Sequence, residues 1–170
     1  MWRITIILLS IVALIFIDIL SKFLIQDSYL SSRNYLWEMP CLDLDITTCV
    51  FHYIPIFWEF FWIQLSYNSG IAFSLPITGI PLQIITLLLI IVLIFFYLRE
   101  EYQKKSRLLD IGYTLILAWA LSHAYERIFV GHVVDFIAVK YFAILNIADI
   151  FISVGAFFLI LAYVRSRKSE

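Results

Sequence analysis

Charge is what this chain lacks. Only 15% of its 170 residues are Asp, Glu, Lys or Arg, while 63% are hydrophobic. Soluble globular domains carry about 25% charged and 45–50% apolar residues. With a mean hydropathy of +0.95, an ordinary water-soluble fold is excluded and one integral membrane domain, residues 1–170, is the natural count. No basic tract is present, which removes the usual footprint of nucleic-acid binding. Cysteine is scarce: Cys41 and Cys49, with only His52 nearby, lack zinc-ligand spacing. A disulfide between them and two free thiols both stay open. No internal repeat or low-complexity segment is present. No small-x-small cleavage site follows the first apolar run, so that run reads as a retained helix rather than a removed signal peptide.

What is present is a set of long apolar runs. Spans are expected over about 4–22, 77–98, 109–127 and 148–165. Asp18 and Lys22 stand four apart at the end of the first, an acid-to-base order that suits a helix and a membrane-edge ion pair. The segment of about 23–75 is interrupted by polar residues and, in its second half, rich in Phe, Trp and Tyr. Pro55 and Glu59 make it a poor span. Strands and a short interfacial helix, forming a platform on the bilayer surface, are expected there. The fold class is therefore all-α membrane protein, with four transmembrane helices and a small extracytoplasmic β and interfacial-helix platform. With both termini cytoplasmic, eight Lys and Arg lie inside and four outside, as the positive-inside rule requires.

That topology gathers the polar residues. Asp18, Lys22, Glu126, Arg127, Asn68, Asn146 and Asp149 all fall at the outer boundary, and Asp135 sits in a short loop beside them. The inner ends show only basic anchors. Carboxylates in apolar sequence are costly, so Asp135 and Asp149, fourteen residues apart, point to function. Two close carboxyl groups in a low dielectric share a proton; one can then activate water while the other protonates. This is aspartic-peptidase chemistry and needs no metal or cofactor. Asn68 and Asn146 are candidates for orienting the carboxylates, and Arg127 for neutralising charge.

Simpler readings stand beside this one. Asp149 would cap the fourth helix, Asp135 would pair with Arg127 or Lys140, and Glu126 and Arg127 would snorkel. His123, Glu126, His132 and Asp135 are compatible with a metal cluster, though nothing completes a ligand set. A small transporter or channel subunit lined by the polar ring, or an inactive assembly protein, are the alternatives from other classes.

Four blocks in order carry a resemblance. They are Asp18-Ile-Leu-Ser21-Lys22, Asn68-Ser-Gly70-Ile-Ala72-Phe73, Arg127 through Val133-Val134-Asp135-Phe136, and Asn146-Ile-Ala148-Asp149. Together they resemble the bacterial lipoprotein signal peptidases (signal peptidase II), over essentially the whole chain. The resemblance implies an aspartic peptidase of the bacterial cytoplasmic (inner) membrane, active at its outer face. It would remove signal peptides from diacylglyceryl-modified prolipoproteins, cutting before the lipid-bearing cysteine. Asp135 and Asp149 would be catalytic; Asn68, Gly70, Arg127, Asn146, Glu126 and His123 would support or bind substrate; Asp18 and Lys22 would be structural. Partners would be the lipidated substrate and the bilayer, with no nucleic acid, and the enzyme a monomer. The chain departs from the family where Ser122-His123-Ala-Tyr-Glu126-Arg127 replaces the usual G-N-x-x-D-R, where the Asp135-to-Asp149 connection is short, and where the Lys22-to-Asn68 segment is long.

Overall fold

The structure, a computed structural model, describes residues 2–33, 54–57, 60–70 and 78–167. Four helices run through it: α1 (Trp2–Arg33), α2 (Gly79–Phe96), α3 (Arg107–Tyr125) and α4 (Ile147–Arg167). A four-stranded antiparallel sheet, β1 (Ile54–Phe57), β2 (Phe61–Asn68), β3 (Val133–Val139) and β4 (Ile144–Leu145), is ordered as in the sequence. Much of the expected platform, including the interfacial helix, Cys41, Cys49 and the segment after Gly70, lies outside the described residues.

α1, α4 and α2 with its C-terminal extension are long and apolar enough to cross a membrane. α3 is different in kind. Its buried positions include Gly112, Thr114, Ala118, Ala120, Ser122, His123 and Ala124, small or polar residues where α1 and α2 present Leu, Ile and Phe outward. It is the interior helix, packed on α1, α2 and α4. At its crossing with α4, a Cβ on Gly155 would lie 2.9 Å from the Gly112 carbonyl oxygen. Only glycine permits that backbone approach, the small-residue contact typical of helices in lipid.

Three expectations change here. α1 does not stop near residue 22. It continues to Arg33, 32 residues in all, about 48 Å at 1.5 Å per residue, well beyond a hydrocarbon core of ~30 Å. Leaving an apolar region does not end a helix when no Gly or Pro follows, and the next proline is Pro40. Second, the stretch holding Asp135 is not a loop but β3, where Val133-Val134-Asp135-Phe136-Ile137 is rich in strand-forming residues. Third, the bundle end that carries the termini is not merely basic. Arg3 donates two hydrogen bonds to Asp110, at 2.7 and 2.5 Å, and Tyr97 donates to the same carboxylate at 2.7 Å. Beside them Glu101, 2% exposed, accepts from Tyr163 at 2.6 Å and pairs with Lys104. These contacts join the start of α1, the end of α2, the start of α3 and the end of α4, so the helices alternate in direction.

Between this layer and the polar layer at the other end the bundle is apolar. Ile11, Leu117 and Ala118 are buried there against Leu14, Ile15, Leu93, Leu121 and Phe151.

Candidate active site

Strand register brings the first polar group to its place. Asn68, the last residue of β2, lies opposite Val133, and Asp135 is two residues further along β3 on the same face. That diagonal lets Asn68 Nδ2 donate to Asp135 Oδ2 at 3.3 Å. The Asn68 Oδ1 in turn accepts the Gly70 backbone N–H at 3.0 Å, an Asx turn that fixes the amide. β3 also pairs with β4, whose last residue precedes Asn146 and the start of α4. The sheet edge therefore delivers the chain directly into the helix that carries Asp149.

Asn146 is the hinge of the site. It is fully buried. Its Nδ2 donates to Asp135 Oδ1 at 2.6 Å. Its Oδ1 accepts the Asp149 backbone N–H at 3.1 Å, while its own backbone N–H donates to Asp149 Oδ2 at 3.1 Å. The last two bonds form a reciprocal capping box, with Asn146 as the cap and Asp149 three residues on. The helix-cap reading holds, and the same asparagine also bonds the Asp135 carboxyl, so one residue contacts both aspartates. The cap is Asn146 rather than Asp149 alone.

Asp149 Oδ1 also accepts from Trp119 Nε1 at 3.2 Å and lies 3.5 Å from His123 Nε2. Trp119 was not among the expected site residues. It stands one helical turn before His123, and an indole N–H within a polar helix face is the signal that marks it. The His123 Nδ1 faces the Trp119 carbonyl oxygen at 3.1 Å. That acceptor requires Nδ1 to carry the proton in the neutral ring, leaving Nε2 an acceptor toward Asn146 Nδ2 at 3.5 Å.

A second buried network holds these pieces in position. Lys22 Nζ, 3% exposed at its side chain, lies 2.6 Å from Asp18 Oδ2 and 2.5 Å from Glu126 Oε2. The Ser122 hydroxyl donates to Asp18 at 2.5 Å, and Asp18 Oδ1 accepts the Ala148 N–H in the first turn of α4 at 2.9 Å. Glu126 Oε1 accepts the Val134 N–H, next to Asp135, at 3.1 Å. Asp18 and Lys22 form the expected ion pair, buried as a crosslink among α1, α3, α4 and β3. Glu126 does not snorkel: it is 5% exposed and held by Lys22. A single missing partner here would strand a buried charge, a loss of about 3–5 kcal/mol.

Asp135 meets neither Arg127 nor Lys140 as an ion pair; its oxygens are taken by the two asparagines. Burial, first, pushes its carboxyl up to about 6, with Asp149 adding to the rise and the Asn146 and Asn68 hydrogen bonds opposing it. The Arg127 guanidinium donates to the Gly70 carbonyl just after β2 at 3.1 Å, and Gln83 of α2 donates to the Arg127 backbone carbonyl at 2.8 Å. Its charge acts on both aspartates. The metal alternative is not assembled: Glu126 is engaged by Lys22, and His132 stands edge-on to Tyr67 at 4.7 Å. Among the described residues no group of three His, Cys, Asp or Glu is placed to hold a metal ion.

A model of the signal peptidase II family matches residues 10–165. The chain belongs to that family. It is accordingly a peptidase, a membrane-bound hydrolase. The lipoprotein signal peptidase of Pseudomonas putida is 36% identical over 129 residues, covering 71% of this chain and 75% of that one. The Clostridium novyi lipoprotein signal peptidase is 36% identical over 124 residues, covering 69% and 82%. The fold agrees with a solved bacterial membrane enzyme at a TM-score of 0.75 and 22% identity, covering 98% of this chain and 92% of that one. A second such structure gives 0.70 at 23% identity, with 94% and 93% covered.

Proposed function

We propose that this chain removes the signal peptide from diacylglyceryl-modified prolipoproteins, cutting before the modified cysteine, with Asp135 and Asp149 as its catalytic pair. The observation that carries the reading is Asn146, whose one side chain bonds the Asp135 carboxyl and the Asp149 backbone N–H in the polar layer away from the Arg3–Asp110 end. Burial divides the labour. Asp135, 5% exposed, holds its proton to about pH 6 and serves as the acid. Asp149, with 25% of its side chain exposed and N–H donors on both oxygens, is the base that water reaches.

Asp149 takes a proton from a water molecule as the water oxygen attacks the scissile carbonyl carbon. The Asp135 proton moves to the carbonyl oxygen, giving a neutral tetrahedral diol. Asp149 then gives its proton to the amide nitrogen while Asp135 takes one hydroxyl proton of the diol, so the C–N bond breaks, the signal peptide's carboxyl end is freed and both aspartates are restored. Arg127 offsets the charge of the pair during the cycle. Positive-inside counting puts the pair at the outer face of the bacterial cytoplasmic membrane with both termini inside, where a lipid-anchored substrate presents its cleavage site. The two aspartates and their bonded partners all come from one chain, which supports a monomer. A conduction path is disfavoured, because the apolar layer around Ile11, Leu117 and Ala118 separates the two polar ends.

The test is cleavage of a diacylglyceryl-modified prolipoprotein by protein reconstituted in membranes. Wild type should cut it; Asp135→Asn and Asp149→Asn should each lose at least 10³-fold while remaining folded. Full activity in either variant would refute the pair.

A further inference from the structure

At the bundle end away from the aspartates, α1, α3 and the turn before α3 line a cavity of about 810 Å³. Its walls are apolar, with Ile6 and Leu14 from α1 and Leu115 from α3, while Arg3, Lys105 and Arg107 stand at its rim. The three cations are not equivalent. Arg3 is neutralised by Asp110, bonds the Tyr102 carbonyl at 2.8 Å and lies over the Tyr102 ring. Lys105 and Arg107 are exposed and have no acidic partner among the described residues. The rim therefore carries an unbalanced charge of about +2, above a slot lined by hydrocarbon. Trp2, 80% exposed, stands at the same mouth, where an amphipathic ring sits at the membrane interface.

We infer that this groove between α1 and α3 binds an anionic glycerophospholipid, its phosphate at Lys105 and Arg107 and an acyl chain against Ile6, Leu14 and Leu115. Charge decides the occupant. The substrate's own signal peptide is the competing apolar guest, but its n-region is positively charged and would meet a rim of like sign. A zwitterionic lipid would gain the apolar contact without the net attraction. Basic pockets between helices on the cytoplasmic side suit anionic headgroups, and the proposed orientation puts the rim on that side. The bound lipid fills the gap between α1 and α3, the two helices whose packing also brings Lys22 to Glu126. The inference shares the membrane orientation with the proposed function but not the aspartate pair.

The test is native mass spectrometry of the full chain, delipidated in a neutral detergent and then titrated with phosphatidylglycerol or phosphatidylcholine of identical acyl chains. Phosphatidylglycerol should be retained preferentially. At about fivefold per basic group near a headgroup, Lys105→Gln with Arg107→Gln should weaken its retention roughly 25-fold. Arg165→Gln with Arg167→Gln, at the end of α4, should leave it unchanged. Ile6→Trp, at a half-exposed position that tolerates bulk, should block the groove for both lipids. Equal retention of the two lipids by wild type, an unchanged preference after loss of Lys105 and Arg107, or displacement of bound lipid by a synthetic signal peptide would each overturn the proposal. No readout uses cleavage, so a failed peptidase assay and a failed lipid assay remain separate results.

Discussion

Asp135→Asn should stabilise the fold at alkaline pH while abolishing cleavage, and the size of the effect follows from the geometry. An aspartate whose pKa is about 6 in the fold instead of 3.8 is penalised as an ion by about 3 kcal/mol, at 1.36 kcal/mol per pH unit. The folded pKa is the higher one, so the fold binds more protons than the unfolded chain between these values. Stability is therefore lost as pH rises from about 4 to about 6, and the cost persists at pH 8. Asparagine removes the ionisation but not without loss. Both Asp135 oxygens accept, from Asn146 at 2.6 Å and Asn68 at 3.3 Å. The new amide NH2 must face one of these donors, most easily the longer Asn68 contact, at a cost of about 1 kcal/mol. The balance is a gain of about 2 kcal/mol at pH 8 and no gain, or a small loss, at pH 4. Thermal unfolding of wild type and variant in detergent at the two pH values reads the difference. A variant advantage that does not grow between pH 4 and pH 8 would show that Asp135 is not desolvated by this site.

Four further outcomes are expected. Cleavage by wild type should decline as pH rises above about 6, because the Asp135 proton is lost; a flat rate profile from pH 5 to 8 would contradict the acid role. Lys22→Met leaves Asp18 and Glu126 buried without their shared cation, and unfolding measurements at neutral pH should show a loss of about 3–5 kcal/mol. His123→Leu removes the ring facing both Asn146 and Asp149. It should cut kcat about tenfold, the worth of one hydrogen bond, with KM nearly unchanged, whereas His123→Asn should recover most of the rate. Gly155→Ala sets a methyl 2.9 Å from the Gly112 oxygen and 2.8 Å from Ile116, and a stability loss of about 1–3 kcal/mol should appear in thermal melts.

Much of this protein could be read from its residues. Long apolar runs are periodicity-free signals, because lipid leaves a spanning segment no alternative to satisfying its own backbone. The last three apolar runs consequently fall on the helices α2, α3 and α4. The four motif blocks likewise contain Asp135, Asp149, Asn68 and Asn146, which the fold brings into contact. Less legible were the far end of α1, where Phe23–Arg33 stays helical after leaving apolar sequence, and β3, a short strand that has meaning only through pairing with β2 and β4.

The membrane class, the apolar runs and the candidate acidic pair are therefore legible locally, since composition, run length and short motifs are properties of neighbouring residues. Packing of distant segments sets which side chains meet. Lys22 and Glu126 are 104 residues apart, and Asp18 reaches the Ala148 N–H across 130. The Asp110–Arg3 pair at the opposite end is as distant, and was invisible as more than a basic anchor. Trp119 became a donor to Asp149 only when α3 and α4 closed on their glycines. Such partners are chosen because a buried charge or amide must find its complement wherever the packed helices bring one, and no local pattern records that choice.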